Sequence, residues 1–258
     1  MSATSEDEAG FCPVIRLPSA IAHDLARSID SHIESIELGF SAVQARASNI
    51  AGTIHLAGPG EFLNNRVVPA LASLMAHDIR IRIHLGGKEK IYALLNDGTA
   101  DLAITASCPE AENRALGYEE IESETFVLVA APAWVRRNIT QPITSVQLLT
   151  LPLIAYDRDL PLIRQYFKQV FSIQIDVQAA ATVGDLRMVR SFLQAEQGYS
   201  VLPKYLCQSQ LKDKTLVLLH QPSDPPTNRL YLVWNRSSLR HPRVVFARER
   251  LLTELQRG

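Results

Sequence analysis

The apolar positions of this chain change period along its length, and each change marks a different kind of element. Ile21, Leu25, Ile29, Ile33, Ile36, Phe40, Val43 and Ala47 recur every three or four residues. That spacing holds one stripe on a helix about eight turns long. Ser19 is its expected N-cap, and Asn49-Ile50-Ala51-Gly52 its end. The later part follows a heptad, so the stripe needs a partner helix or a domain surface to cover it. Residues 1–18, polar and carrying Gly10, Pro13 and Pro18, read as a poorly ordered tail.

From Gly52 short apolar runs alternate with helical stretches. Thr53–Ala57 reads as a strand, Gly58-Pro59-Gly60 as a tight turn, and Leu63, Val67, Leu71 and Met75 as one helix face. Ile79–Leu85 alternates strictly apolar and polar, which predicts a half-exposed strand at or near a sheet edge. Gly86-Gly87 leads into a helix with Ile91, Leu94 and Leu95 inward, ended by Asn96-Asp97-Gly98. Asp101–Thr105 and Phe126–Ala131 read as buried strands, the second stopped by Pro132.

A second series follows. Leu151–Ala155 reads as a strand, then a helix carries Ile163, Tyr166, Phe167 and Val170, and Ile175–Ala179 reads as the next strand. Thr182-Val183-Gly184-Asp185 opens a helix, Gly198 closes it, and Tyr199–Pro203 is a short buried strand. Thr215–Leu219 and Leu230–Trp234 read as strands separated by a turn at Pro222–Pro226. A closing helix uses Val245, Phe246, Leu252 and Leu255. Strands alternating with helices predict an α/β fold built from parallel β-α-β units.

The 258 residues are 47% hydrophobic and 21% charged, enough for a sizeable core in one or two domains. A net charge of −1 lacks the strongly basic balance of a nucleic-acid binder. No apolar run reaches the roughly 18 residues of a membrane span. The acidic start lacks the basic and apolar regions of a signal peptide. With three unpaired cysteines, Cys12, Cys108 and Cys207, these features predict a cytoplasmic protein. Cys108 and Cys207 are expected as small buried hydrophobes.

Enzymatic constellations are missing. No Gly-x-x-x-x-Gly-Lys-Ser/Thr loop is present, and Leu63 stands where a dinucleotide fingerprint needs its third glycine. The histidines never fall at metal-ligand spacing. Ser200 lacks the second glycine of a nucleophile elbow. No cofactor, metal site or catalytic residue is therefore expected.

Several segments in order carry a family resemblance. Arg16-Leu17-Pro18 before the long helix is similar to the wing end and linker helix of LysR-type transcriptional regulators. Gly52–Ala57 is similar to their first regulatory strand. Gly98-Thr99-Ala100-Asp101-Leu102-Ala103-Ile104 resembles their Gly-x-x-Asp-Leu-Ala-Ile motif. Gln197-Gly198-Tyr199-Ser200-Val201-Leu202-Pro203 resembles their Gly-x-Gly-Ile-x-x-Leu-Pro signature, with Ser200 in place of the second glycine. The resemblance implies two Rossmann-like subdomains of the type 2 periplasmic-binding-protein kind, preceded by a long linker helix. Residues 1–18 would be the tail and 19–51 the linker and dimerisation helix. Residues 52–132 with 228–258 would form the first subdomain and 133–227 the second, with crossings near Pro132 and Pro226. The family's winged helix-turn-helix has no counterpart in residues 1–14, so the chain alone is expected not to bind operator DNA.

The effector would lie between the subdomains, in the crevice outside the strand ends. The expected lining is Gly58, Gly60, Glu61 and Phe62 from the first strand-to-helix turn, and Gly86, Gly87 and Lys88 from the second. Thr105 and Ala106 follow the buried strand, Ala155 and Tyr156 enter from the second subdomain, and Thr182, Val183 and Gly184 complete the wall. Free amides at helix starts would receive a carboxylate, whereas Glu61 would read an amine unless it satisfies local amides. The expected partners are a small metabolite, a carboxylate or an amino-acid-like compound, and a second copy of the chain in a homodimer or tetramer. The alternatives are a two-lobed solute-binding protein and an enzyme on the same scaffold, for which Glu61 and Tyr156 are the available acid-base groups.

Overall fold

The computed structural model describes residues 29, 32, 36, 50–109 and 113–256. The expected tail, and all of the expected linker helix but a few positions, lie outside the described residues. Within that helix Ile29, His32 and Ile36 are helical and exposed.

The first strand, β1 (Gly52–Gly58), pairs in parallel with β2 (Ile79–Leu85) and β3 (Leu102–Thr105). β9 (Thr227–Asn235) runs antiparallel to β3 and to β4 (Leu116–Ala130). β7 (Tyr199–Pro203) and β8 (Val217–Leu218) pair antiparallel with the far end of β4. The sheet order is β2-β1-β3-β9-β4-β7, with β8 also on β4. β5 (Ile154–Ala155) and β6 (Ala181–Thr182) form a small parallel pair. The architecture is α/β, of the type 2 periplasmic-binding-protein-like kind, but its large sheet is mixed where parallel units were expected.

β4 holds the sheet together. Its residues up to Thr125 pair with β9, the last match being Thr125 with Thr227. From Phe126, opposite Pro203, it pairs with β7. Its 15 residues thus change partner without a break, at Thr125–Phe126, ahead of the expected crossing at Pro132. The cores follow this change. Phe126–Ala131 pack with Tyr166, Phe167, Tyr199 and Leu202 in one cluster. Ile54, Leu56, Leu102 and Ile104 pack with Trp234, Val245 and Leu251 in another. On the opposite face of the sheet, Ala57, Ala103 and Val233 pack on Ile91 and Leu95.

Several local readings are corrected. Ile175–Ala179 forms no strand with the described residues; the Ile175 carbonyl instead accepts a hydrogen bond from Arg164 Nη1 at 2.9 Å. Met75 is 67% exposed where an inward position was expected. The helix from Gly60 to Met75 passes through a π-helical turn at Leu63–Val67, which adds a residue to the turn and advances the inward face to Ala70, Leu71 and Leu74. Pro69 lies just beyond, and the wider turn lets the helix continue past a residue without an N–H. Cys108 is exposed, whereas Cys207 is buried. In the closing helix, Pro242–Leu255, Val244, Ala247 and Leu251 join Val245 and Leu255 inside, while Phe246 and Leu252 are half-buried.

The Gln197–Pro203 segment has a packing reason for its glycine. A Cβ on Gly198 would collide with the Pro152 carbonyl oxygen, and the next amide, Tyr199 N–H, donates to that same oxygen at 3.1 Å. Ser200, buried, donates from Oγ to the Ile154 carbonyl at 2.7 Å. This segment pins β7 beside β5 and leaves no hydroxyl for chemistry.

Candidate functional site

A cleft of about 270 Å³ opens where the two large core clusters meet. From one side it is walled by Pro59, Glu61, Phe62, Gly86, Gly87, Lys88 and Ile91, and by Thr105, Ala106 and Ser107 beyond β3. From the other come Tyr156, Leu162, Leu186, Pro203 and Tyr205. Glu124, Asn228 and Leu230 form the wall on β4 and β9. Of the residues expected here, the structure brings together Glu61, Phe62, Gly86, Gly87, Lys88, Thr105, Ala106 and Tyr156. Gly58, Gly60, Ala155, Thr182, Val183 and Gly184 stand beside the cleft rather than on its wall.

Backbone hydrogen bonding explains part of that division. The Val183 and Gly184 amides donate to the Ala155 and Tyr156 carbonyls, each at 3.1 Å. Asp185 caps the following helix, Leu186–Gln194, by accepting from the Arg187 amide at 2.7 Å. That helix start is therefore filled by the chain's own carboxylate. Arg187 completes the closure, its guanidinium gripping Asp185 with an Nη2–Oδ2 distance of 2.6 Å. The Arg187 contact holds the Asp185 carboxyl below the usual range. In contrast, the helix Lys88–Asn96 starts at the cleft with no side-chain cap.

Two carboxylates dominate the electrostatics. Burial raises the Glu61 carboxyl, although its own backbone amide donates to it and pulls the other way. Glu124 is 9% exposed and pushed up to about 7, first by burial and further by the charges of Glu61 and Glu122. Asn228, its cross-strand partner, donates from Nδ2 to Oε1 at 3.1 Å and works against the rise. Tyr156 is pushed up to about 12 by burial, and burial raises Tyr205 further still. Both phenols remain neutral hydroxyls at physiological pH.

Glu124, Asn228 and Tyr205 escape the sequence reading, as do Leu162 and Leu186. The available signal was the glutamate series 119, 120, 122 and 124 running into the apolar Phe126. A register shift between Glu120 and Glu122 breaks its alternation, so that Ile121 and Glu124, three apart, both turn inward.

Residues 47–256 match the family model of the LysR substrate binding domain. The chain belongs to the LysR family. It is 32% identical over 239 residues to the HTH-type transcriptional regulator AbaB of Streptomyces antibioticus, covering 90% of this chain and 78% of AbaB. Among solved structures it is similar to CrgA, a LysR-type transcriptional regulator from Neisseria meningitidis, with a TM-score of 0.72 at 16% identity over 92% of this chain and 80% of CrgA. It is also similar to the C-terminal domains of a LysR family protein from Agrobacterium tumefaciens, with a TM-score of 0.70 at 16% identity, covering 79% of this chain and 96% of the other. This LysR-family chain thus carries the effector-binding domain of a transcriptional regulator, and the cleft lies within the matched region. Among its described residues, no helix is long and apolar enough to cross a membrane, and no group of three or more His, Cys, Asp or Glu could hold a metal ion.

Proposed function

We propose that this chain senses a small metabolite in the cytoplasm, without transforming it, and that the cleft between Glu61, Lys88, Tyr156 and Glu124 is where the effector binds. The supporting observation is the cleft itself, walled from both large core clusters inside an effector-binding domain. Its volume of about 270 Å³ suits a metabolite of amino-acid size rather than a dinucleotide. The two lobes would divide where β4 and β9 change company, at Thr125–Phe126 and Pro226–Thr227. A ligand touching both would favour the lobe angle it binds better.

A thermal-shift screen of the purified chain against metabolite pools tests this reading. At 100 times its Kd, a ligand adds about 2.7 kcal/mol, roughly 5–10 °C for a domain of this size. Leu162→Trp fills the cleft and should erase the shift. A shift that survives Leu162→Trp, or the absence of any shifting metabolite, would remove the cleft from consideration.

A homodimer is the second part of the proposal. β2 is the sheet edge, and Ile83 and Leu85 on it are 42% and 52% exposed. An open groove of about 630 Å³, lined by Met75, Ile79 and Ile81 with Arg80 and Arg82, runs beside them. Ile29 and Ile36, a heptad apart, are 48% and 67% exposed. An apolar edge of this kind asks for a partner strand or helix. Light scattering at micromolar concentration should return twice the chain mass; a monomer would defeat the dimer.

A further inference from the structure

We infer that the effector carries an ammonium group, held in the cleft between the carboxylates of Glu61 and Glu124. This rests on the reading of the cleft as the effector site and adds the chemical class of its occupant.

The charges around the cleft do not balance. Each guanidinium nearby already has a carboxylate of its own: Arg187 grips Asp185, and Arg66 donates to both oxygens of Glu122 at 2.6 and 3.0 Å. Glu61 and Glu124 make no ion pair among the described residues. Asn228 occupies one oxygen of Glu124, and the Glu61 amide meets the Glu61 carboxylate. Both groups keep acceptor capacity toward the cleft, and both lie in surroundings where an unpaired charge is costly. Lys88 is exposed, and Lys204 borders a separate cavity that Glu124 and Tyr205 also line.

A ligand cation would supply the missing charge. A divalent metal suits the site poorly, because no group of three metal-binding side chains exists among the described residues. An amine fits better. Its ammonium offers three donors to two carboxylates, while Phe62, Leu162 and Leu186 provide apolar wall for a methylene chain. Carboxylate ligands face the opposite situation, since Glu61 and Glu124 would repel them and the helix start at Lys88 offsets only about 0.3–1 kcal/mol. Cation binding requires ionised carboxylates. Burial above all, with the charges of Glu61 and Glu122 and against the Asn228 hydrogen bond, pushes Glu124 up to about 7, so affinity should rise as the pH passes through that value.

Isothermal titration of the chain with putrescine, γ-aminobutyrate and succinate tests the inference. At least one of the two amines should bind at pH 8, about tenfold more weakly at pH 6, with succinate silent. Glu124→Gln and Glu61→Gln should each weaken that amine about tenfold or more, and circular dichroism should show both variants folded. Failure of both amines to bind, unchanged affinity in Glu124→Gln, or preferential binding of succinate overturns the inference. Succinate binding abolished by Leu162→Trp would leave the effector cleft standing and remove only the ammonium.

Discussion

Glu124→Gln stabilises the ligand-free protein at pH 8 by about 1–3 kcal/mol and has almost no effect near pH 4. The folded carboxyl titrates at about 7, against 4.5 for an exposed glutamate. Below the lower value both folded and unfolded chains hold the proton, and the site costs nothing. As the pH climbs from 4.5 to 7, the unfolded chain releases its proton first, so unfolding becomes progressively more favourable. Above 7 the whole penalty is present. Glutamine removes the ionisation and keeps a carbonyl to accept from Asn228 Nδ2. Urea unfolding of both proteins across this pH range measures the difference. A variant less stable than the parent at pH 8, or a gain independent of pH, would show that Glu124 is not held under strain. Loss of an effector response together with a gain in stability is the expected pattern for a functional group kept at the expense of the fold.

Trp234→Ala costs about 3–5 kcal/mol, or roughly 10 °C in melting temperature. Trp234 is 1% exposed on β9, and the Gly117 backbone lies so close that a Cβ there would strike the indole nitrogen. Arg248, itself 6% exposed, stacks with its guanidinium carbon 3.8 Å from the ring centroid. Removing the indole opens a cavity and takes away the face against which a buried cation rests, with the Glu119 carboxylate 3.9 Å from its guanidinium. Trp234→Phe keeps an aromatic face and should lose clearly less. A melting temperature within about 2 °C of the parent in Trp234→Ala would refute this account.

The α/β class and the order of most strands were legible because their signals are local. Gly86-Gly87, Asp97-Gly98 and Pro132 punctuate the chain where elements begin or end, and Ile79–Leu85 alternates as an edge strand should. What the pattern hid was nonlocal. The π turn that moves Met75 outward lies just before Pro69 and leaves no mark in the hydrophobic spacing. Ile175–Ala179 alternates like a strand, yet among the described residues no strand pairs with it and Arg164 takes one of its carbonyls. In the site, glycines and helix starts pointed to the first-lobe wall because backbone geometry is written in residue type. Glu124 was not legible, because a glutamate among glutamates is normally solvated. Only the pairing of β4 with β9 turns it inward. Thr182–Gly184 drew attention as an open helix start, and Asp185 two residues on from Val183 closes it.

The change of partner along β4 also has a mechanical meaning. Glu124 and Asn228 face each other one residue pair before the place where β4 leaves β9, so they sit on the axle about which two bodies would turn. A contact at an axle has a short lever arm. Small displacements there become large ones at the rims, as at β2, the outermost strand of the sheet. Discharging the Glu124 carboxylate with a bound cation would therefore act as a torsional spring setting, fixing the resting angle of a stiff two-stranded hinge rather than pulling a lid shut from its edge.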